Sequence, residues 1–333
     1  MNPAPDADPA THRRPGDDRP APPLPPGGGL LLVDKPSGCT SHDVVGRLRK
    51  VLRTRRIGHA GTLDPMATGL LVVAVDRSTK LLGHLALTDK AYTATIRLGQ
   101  RTDSDDADGT IVEMADPAAV HAVAVTELRA GMAALTGPIL QVPSSVSAIK
   151  IGGRRAYDIV RSGGQVELAP RPVTVGRFEL VGGPRTADGV LDIDVEVDCT
   201  TGTYVRSLAR DLGDALGVGG HLIRLRRTRV GPFLVTDAVN IFPAEGADRG
   251  AQVAEEFARA VAARILPPAD AVRAAFPARV VTDAEVTELR YGRSVPPGGI
   301  TGTYGAFDGT GRLIALLADG AEVARPVLGW LTA

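Results

Sequence analysis

The stretch Gly58–Leu71, GHAGTLDPMATGLL, decides how the chain reads. Its small residues Gly58, Ala60 and Gly61 let the backbone pass close to another molecule, because glycine carries no Cβ. One carboxylate, Asp64, stands directly before Pro65. A residue preceding proline is pushed out of the α region into extended geometry, so Asp64 sits on a stiff turn. From Met66 to Val75 the chain is apolar and ends in the strand-like run LLVVAV, which anchors the turn in a core. On composition alone the same segment also fits an ordinary Asp-Pro turn between strands. The surroundings have to decide.

Upstream, residues 1–28 hold nine prolines and mixed Arg and Asp, the composition of a disordered tail. Order begins at Gly29, where LLLVDKP reads as a short strand closed by Lys35 and Pro36. Lys35 is placed to fix the motif from below. Thr40, Ser41 or Asp43 caps a helix through VVGRLRKVL, whose Val44, Val45, Leu48, Val51 and Leu52 share one face. Arg47, Arg49, Lys50, Arg53, Arg55 and Arg56 crowd the other faces, and Arg224, Arg226, Arg227 and Arg229 form a second cluster. Such runs fit a solvated face and a nucleic-acid contact equally well.

Downstream, a short helix is expected at Thr79–Leu87 and a strand at Tyr92–Gly99. The acidic loop Arg101–Gly109 follows. It is not an EF-hand, since the position where that loop needs glutamate is Met114. Pro117–Leu135 reads as one helix. A Pro-, Gly- and Ser-punctuated basic segment at about 138–172 carries Lys150, Arg154, Arg155 and Arg161, with a short helix around Ala156–Arg161. Two antiparallel strands, Val173–Leu180 and Leu191–Cys199, are joined by a polar turn at Arg185–Gly189. A strand then enters at Thr200–Gly202, and a helix leaves from about Tyr204. HLIRLRRTRVGPF is a basic strand. From Asn240 the composition shifts to an alanine-rich helix at Ala251–Ile265, and Arg279–Ala333 offers short strands separated by glycine, the pattern of a small β-barrel.

At 333 residues the chain has room for two domains. Its 38 basic and 38 acidic residues cancel, so no overall charge advertises a nucleic-acid partner. Cys39 and Cys199 lie far apart with no CxxC, which argues against a disulfide framework or a cysteine-based zinc site. There is neither a basic-then-apolar leader nor a run approaching the length of a membrane span, so a cytoplasmic protein that does not enter a membrane is expected. No GxxxxGK[ST], no GxGxxG opening a βαβ unit and no zinc spacing is present, so no cofactor is expected.

The Gly58 motif resembles the catalytic motif of the TruB family of tRNA pseudouridine synthases, G-H-x-G-x-L-D-P-x-A-x-G-L-L, at every fixed position. The acidic loop resembles that family's TDTxDxxG, and residues 143–157 resemble the PSxxSAxKxxGxRAY signature of its RNA-gripping insertion. The resemblance is close over about Gly29–Pro232 and looser over Asn240–Ala333, which looks like a PUA-type RNA-binding unit. It implies an α+β fold: a catalytic domain (29–239) on a large mixed, mostly antiparallel sheet with flanking helices, and a small β-barrel-like RNA-binding domain (240–333). The implied partner is the T-arm of tRNA, met by a monomer with no obligate protein partner.

The implied reaction turns uridine 55 into pseudouridine: the N1–C1′ bond breaks, the base turns, and C5 bonds to C1′. As an isomerisation it needs no redox cofactor or ATP. It does need an ionised nucleophile in a dry pocket, and an aspartate can serve. By resemblance Asp64 is that nucleophile, and Arg206 in GTYVR is its partner, lowering a carboxylate pKa that burial would raise. The residues leave open whether Asp64 attacks C6 or C1′. Tyr92 matches the tyrosine that stacks on the base and takes the C5 proton. Tyr204 and Leu225 match pocket-lining positions, and His59 matches the histidine that meets the flipped nucleotide. Lys35, Lys150, Arg154 and Arg155 complete the expected RNA contacts. Extruding the base costs on the order of 2–4 kcal/mol, which stacking and phosphate contacts must offset. A guide-RNA-dependent relative and a non-catalytic tRNA chaperone are the alternative readings. Intact Asp64, Tyr92 and Arg206 weigh against the chaperone as the sole role.

Overall fold

The computed structural model describes residues 20–86, 88–144, 150–151, 154–155, 168–242 and 251–330. In chain order the elements begin with β1 (Gly29–Lys35), α1 (Ser41–Val51), β2 (Ile57–Ala60), β3 (Thr68–Val75) and α2 (Leu82–Leu85). Next come β4 (Lys90–Leu98), the pair β5 (Gln100–Thr102) and β6 (Ile111–Met114), α3 (Pro117–Ala122), α4 (Val125–Ala134) and β7 (Gly137–Gln141). The short β8 (Lys150–Ile151) and β9 (Arg154–Arg155) precede β10 (Arg171–Ala187), β11 (Val190–Cys199), α5 (Val205–Ala215), β12 (Gly220–Val230) and β13 (Phe233–Leu234). The chain then runs through α6 (Ala251–Ala263), α7 (Pro268–Ala275), β14 (Ala278–Val280), α8 (Asp283–Arg290), β15 (Thr303–Phe307), β16 (Leu313–Asp319) and β17 (Ala324–Gly329).

The large sheet has the order β1-β3-β12-β4-β11-β10-β7, with β2 beside β3 and β13 beside β12. Its one parallel junction among the described strands is β3 with β12; the rest is antiparallel, as expected. The LLVVAV run is continuous because β3 is buried on both faces. Leu71, Val73 and Val75 pack with Val44, Val45 and Leu48 of α1, while Leu70, Val72 and Ala74 face a second core. In β11 the alternation is strict: Leu191, Ile193, Val195 and Val197 enter a core with Leu208 and Leu212 of α5. The intervening carboxylates face arginines and a threonine: Asp192 pairs with Arg97 at 2.8 Å, Asp198 with Arg229 at 2.8 Å, and Asp194 accepts from Thr95 at 2.7 Å.

Several elements differ from the sequence expectation for local reasons. The helix expected at Pro117–Leu135 is two helices, because Glu127 accepts the backbone N–H of Ala124 at 2.8 Å and starts a new helix there. Strand β10 continues past Gly182-Gly183-Pro184 to Ala187, with a register shift between Val181 and Arg185. Glycine and proline here mark a bulge and not the loop they suggest. The segment expected as a helix at Thr79–Leu87 is a 3-10 turn, Asp76–Leu81, leading into α2. The strand expected to enter at Thr200–Gly202 already ends at Cys199. Of the basic insertion, the β8–β9 backbone pairing is described; the helix expected around Ala156–Arg161 lies outside the described residues.

Beyond residue 250, Val261, Ala262 and Ile265 bury against the α1 side of β1 and β3. The last unit, expected as a small barrel, is a four-stranded sheet in the order β14-β15-β16-β17 with β14 and β15 parallel. Val272, Phe307, Leu316 and Trp330 share one core with Leu30, Leu70 and Val72. Among the described residues no helix is long and apolar enough to cross a membrane.

Candidate active site

The site is built from the backbone around Asp64. Gly69 has a φ of 100°, and a side chain there would strike the backbone of Arg227, its register partner in β12. Glycine at this position lets β12 come in beside β3 and slide the Arg227 side chain beneath the loop. Arg227 is 1% exposed; it donates to the carbonyls of Leu70 at 2.7 Å, Gly61 at 3.0 Å and Thr62 at 3.4 Å. On the other side Lys35 donates to the carbonyls of Cys39 at 2.7 Å, Pro36 at 3.0 Å and Pro65 at 3.2 Å. The Ser41 hydroxyl accepts the Leu63 N–H at 2.9 Å and donates to the Leu63 carbonyl at 3.1 Å. Three buried side chains thus hold the peptide groups on both sides of Asp64, which stiffens the turn well beyond what Pro65 supplies.

Two expectations change here. Lys35, placed among the RNA contacts, is fully buried and grips the loop from below, so its ammonium is not presented to RNA. The small residues also serve the protein's own packing. A side chain at Gly58 would meet Leu82, and Gly61 turns at a φ of 80° against Arg227.

The Asp64 carboxylate lies against the guanidinium of Arg206, in the first turn of α5. Nε approaches one oxygen at 3.0 Å, and Nη2 donates to the other at 3.2 Å. These two contacts hold the carboxylate against the guanidinium. Arg206 is buried and tied at its far edge as well. Nη1 donates to the Ser104 carbonyl at 2.9 Å, meets Ser144 Oγ at 3.3 Å and lies 3.4 Å from Asp106. Asp106 accepts from Ser104 Oγ at 2.5 Å and from the Asp108 N–H at 3.1 Å. The acidic loop is therefore the anchor of the site arginine. Burial pushes the Asp64 carboxyl above its ordinary range, the Arg206 guanidinium opposes this, and Asp106 adds to the upward push.

Tyr92 stands opposite Arg227 in the β4–β12 ladder and is buried; burial pushes its phenol up, with Arg227 opposing. Leu225, opposite Ala94 in the same ladder, lines a groove of about 570 Å³ together with Met66 and Thr68 from the Asp64 loop. Tyr204 is half-buried at the N-cap of α5. His59, on β2 opposite Val73, is half-buried, with Nδ1 buried and unpartnered. Burial lowers its pKa, aided by Arg227, so it is neutral at physiological pH. For Lys150, Arg154 and Arg155 only the backbone is described.

The two arginine clusters are largely engaged within the fold. Arg47 donates to the Ile241 carbonyl at 2.7 Å and stacks over Phe242 at 5.2 Å, and Arg53 pairs with Glu255 at 2.7 Å. Arg49 donates to the carbonyls of Arg55 and Ile57, and Arg226 pairs with Asp34 at 2.7 Å. Lys50, Arg55 and Arg224 stay exposed. Sequence reasoning missed Asp106, Ser104, Ser144 and Arg227 as site residues. For Asp106, Ser104 and Ser144 the signal was present, in the family-like spacing of the acidic loop and of the PSxxSAxKxxGxRAY segment; for Arg227 only the contacts reveal the role.

A model of the TruB family pseudouridylate synthase N-terminal domain matches residues 49–205. Models of the tRNA pseudouridylate synthase B C-terminal domain and the tRNA pseudouridine synthase II C-terminus match 206–271 and 276–330. The tRNA pseudouridine synthase B of Nocardia farcinica is 55% identical over 91% of this chain and 93% of its own length. The enzyme of the same name from Rhodococcus jostii is 54% identical over the same shares.

The chain belongs to the TruB family of pseudouridylate synthases.

Two of the TruB segments meet between Val205 and Arg206, so the Asp64–Arg206 pair spans both. The TruB fold extends to remote sequences. The crystal structure of a Cbf5-Nop10-Gar1 complex contains a chain that superposes with a TM-score of 0.66 at 24% identity, covering 96% of this chain and 93% of that one.

Proposed function

We propose that the protein isomerises uridine 55 in the T-loop of tRNA to pseudouridine, with Asp64 as the nucleophile. The observation that carries this reading is the Asp64 carboxylate held by Arg206 at 3.0 and 3.2 Å on a loop braced from both sides. The name shared by relatives above 50% identity supports the tRNA substrate. Asp64 forms a bond to the nucleotide, the N1–C1′ bond breaks, and the base turns in the pocket beside Tyr92 and Leu225. C5 then bonds C1′ and gives up its proton, N1 ends protonated, and Asp64 is released unchanged. Arg206 keeps the carboxylate ionised and fixed in direction. Tyr92 stacks on the base and relays the C5 proton, its protonated phenol oxygen taking that proton as its own hydrogen passes on toward N1; Tyr204 and His59 line the nucleotide's path. Lys150, Arg154 and Arg155 of the insertion and the C-terminal unit, residues 240–333, add contacts to the T-arm and the rest of the RNA. Acting alone on tRNA as a monomer, the enzyme works in the cytoplasm.

Tritium release from [5-³H]uridine-labelled T-arm RNA tests this, because C5 loses its hydrogen only when the isomerisation runs. Wild type releases tritium, with the product mapping to position 55. Asp64→Asn releases none while still binding the RNA. Release by Asp64→Asn at the wild-type rate would overturn the assignment.

A further inference from the structure

Helix α5 carries Arg206 but starts without a side-chain cap of its own. Tyr204, its N-cap residue, has extended backbone angles (φ −104°, ψ 110°) and makes no side-chain capping bond. Gln141, the last residue of β7, braces that position from 63 residues away. Its amide oxygen accepts the Tyr204 N–H at 2.8 Å, and its amide nitrogen donates to the Tyr204 carbonyl at 3.1 Å. Both ends of one side chain are satisfied by one residue, which fixes the peptides on either side of Tyr204. Gln141 is 1% exposed. A buried amide is tolerated only where its hydrogen bonds are made, and an apolar residue of similar size could fill the volume.

Three residues further on, Ser144 reaches the other end of the same arginine. Its fully buried hydroxyl donates to the Ser104 carbonyl at 3.2 Å and accepts from Arg206 Nη1 at 3.3 Å. One short stretch, Gln141–Ser144, therefore holds both the backbone from which Arg206 departs and one edge of its guanidinium.

We propose that Gln141 and Ser144 are positioning residues for pseudouridine formation, aiming the Arg206 fork at Asp64. The proposal rests on the reading of Asp64 and Arg206 as the catalytic pair. The fork makes two contacts from the end of a long side chain, so a small shift of the helix start moves it off the carboxylate. A displacement of about 1 Å can cost about a hundredfold in rate.

The test compares Gln141→Leu, Ser144→Ala and Ser144→Thr with wild type and Asp64→Asn, by single-turnover tritium release at saturating T-arm RNA across pH. RNA affinity and thermal unfolding are measured on the same samples. Gln141→Leu should slow the step roughly ten- to a hundredfold with RNA affinity within about twofold of wild type. The acid limb should also move to higher pH. Asp64 faces Arg206 and Lys35 as cations and Asp106 and Asp108 as anions, and a misaimed Arg206 leaves the anions less opposed. Ser144→Ala should show the same two changes more weakly, and Ser144→Thr should restore the wild-type profile. A wild-type rate in Gln141→Leu would overturn the proposal. So would a slowed rate with an unmoved acid limb, which is what a merely loosened scaffold gives. If Gln141→Leu does not fold, the Ser144 pair decides on the same readouts. Activity in Asp64→Asn would instead sink the catalytic reading itself; an inactive Asp64→Asn beside a wild-type Gln141→Leu sinks the positioning role alone.

Discussion

The carboxylates of Asp64 and Asp106 share one guanidinium: Arg206 meets Asp64 at 3.0 Å and Asp106 at 3.4 Å. Asp106 steadies the arginine and also raises the pKa of Asp64. Its removal has opposed effects. Asp106→Asn should lower the plateau rate at least about tenfold, equivalent to about 1.4 kcal/mol in the barrier, because Arg206 loses an anchor. The acid limb should sit at lower pH than in Arg206→Gln, because the charge that disfavours ionised Asp64 is gone while the guanidinium remains beside it. Arg206→Gln should lower the plateau and move the limb upward. In each case activity falls as pH falls through the Asp64 pKa. Single-turnover rates across pH check the order of the two limbs.

Tyr92 is held above the ordinary phenol pKa of 10.0 by burial. Its hydroxyl is therefore protonated throughout the neutral range in the free enzyme. Tyr92→Phe should lower the plateau by roughly 10²–10⁴-fold, the usual size of a general acid–base contribution. It should not remove a basic limb below pH 10, because none arises from this group. A limb near neutrality that vanishes in Tyr92→Phe would contradict the arrangement.

Arg227 is fully buried and satisfies three carbonyls, two before Asp64 and one after it. Arg227→Met should destabilise the fold by about 3–5 kcal/mol, since three acceptors lose a buried charged donor. Arg227→Lys should recover little, as one ammonium cannot span carbonyls that a planar fork reaches. Urea unfolding midpoints measure both.

RNA affinity should depend on salt less steeply than a count of arginines implies. Each phosphate contact adds about 0.7–0.9 to the logarithmic slope. Replacing exposed Lys50, Arg55 or Arg224 with alanine should reduce the slope. Replacing Arg47 or Arg53, which hold Ile241 and Glu255, should lower stability and leave the slope near wild type. Binding titrations at several salt concentrations separate the two groups.

These four cases mark what could be read from residues alone. The strand at Leu191–Cys199 and the capping residues of α1 are set by local sequence, so they were legible in the residues themselves. The Asp64–Arg206 pair bridges 142 residues and rested on resemblance to a known motif. Asp106 stood at a fixed position of the family-like loop, yet its role did not show, because an aspartate in a glycine-bearing turn looks the same whether it closes the turn or holds a distant arginine. The Arg47–Arg56 cluster stayed open between two readings for a related reason. The partners of Arg47 and Arg53 lie about 200 residues away, at Ile241 and Glu255, and a charge run carries no mark of which of its members a distant neighbour will engage.

The core in which Trp330 and Phe307 pack with Leu30, Leu70 and Val72 bears on how such an enzyme can evolve. A recombination event that exchanged the last sixty or so residues would strip cover from the strand leading out of the catalytic turn. The terminal sheet therefore acts as part of the wall behind that strand, and its replacement would call for compensating apolar residues at Leu30, Leu70 and Val72.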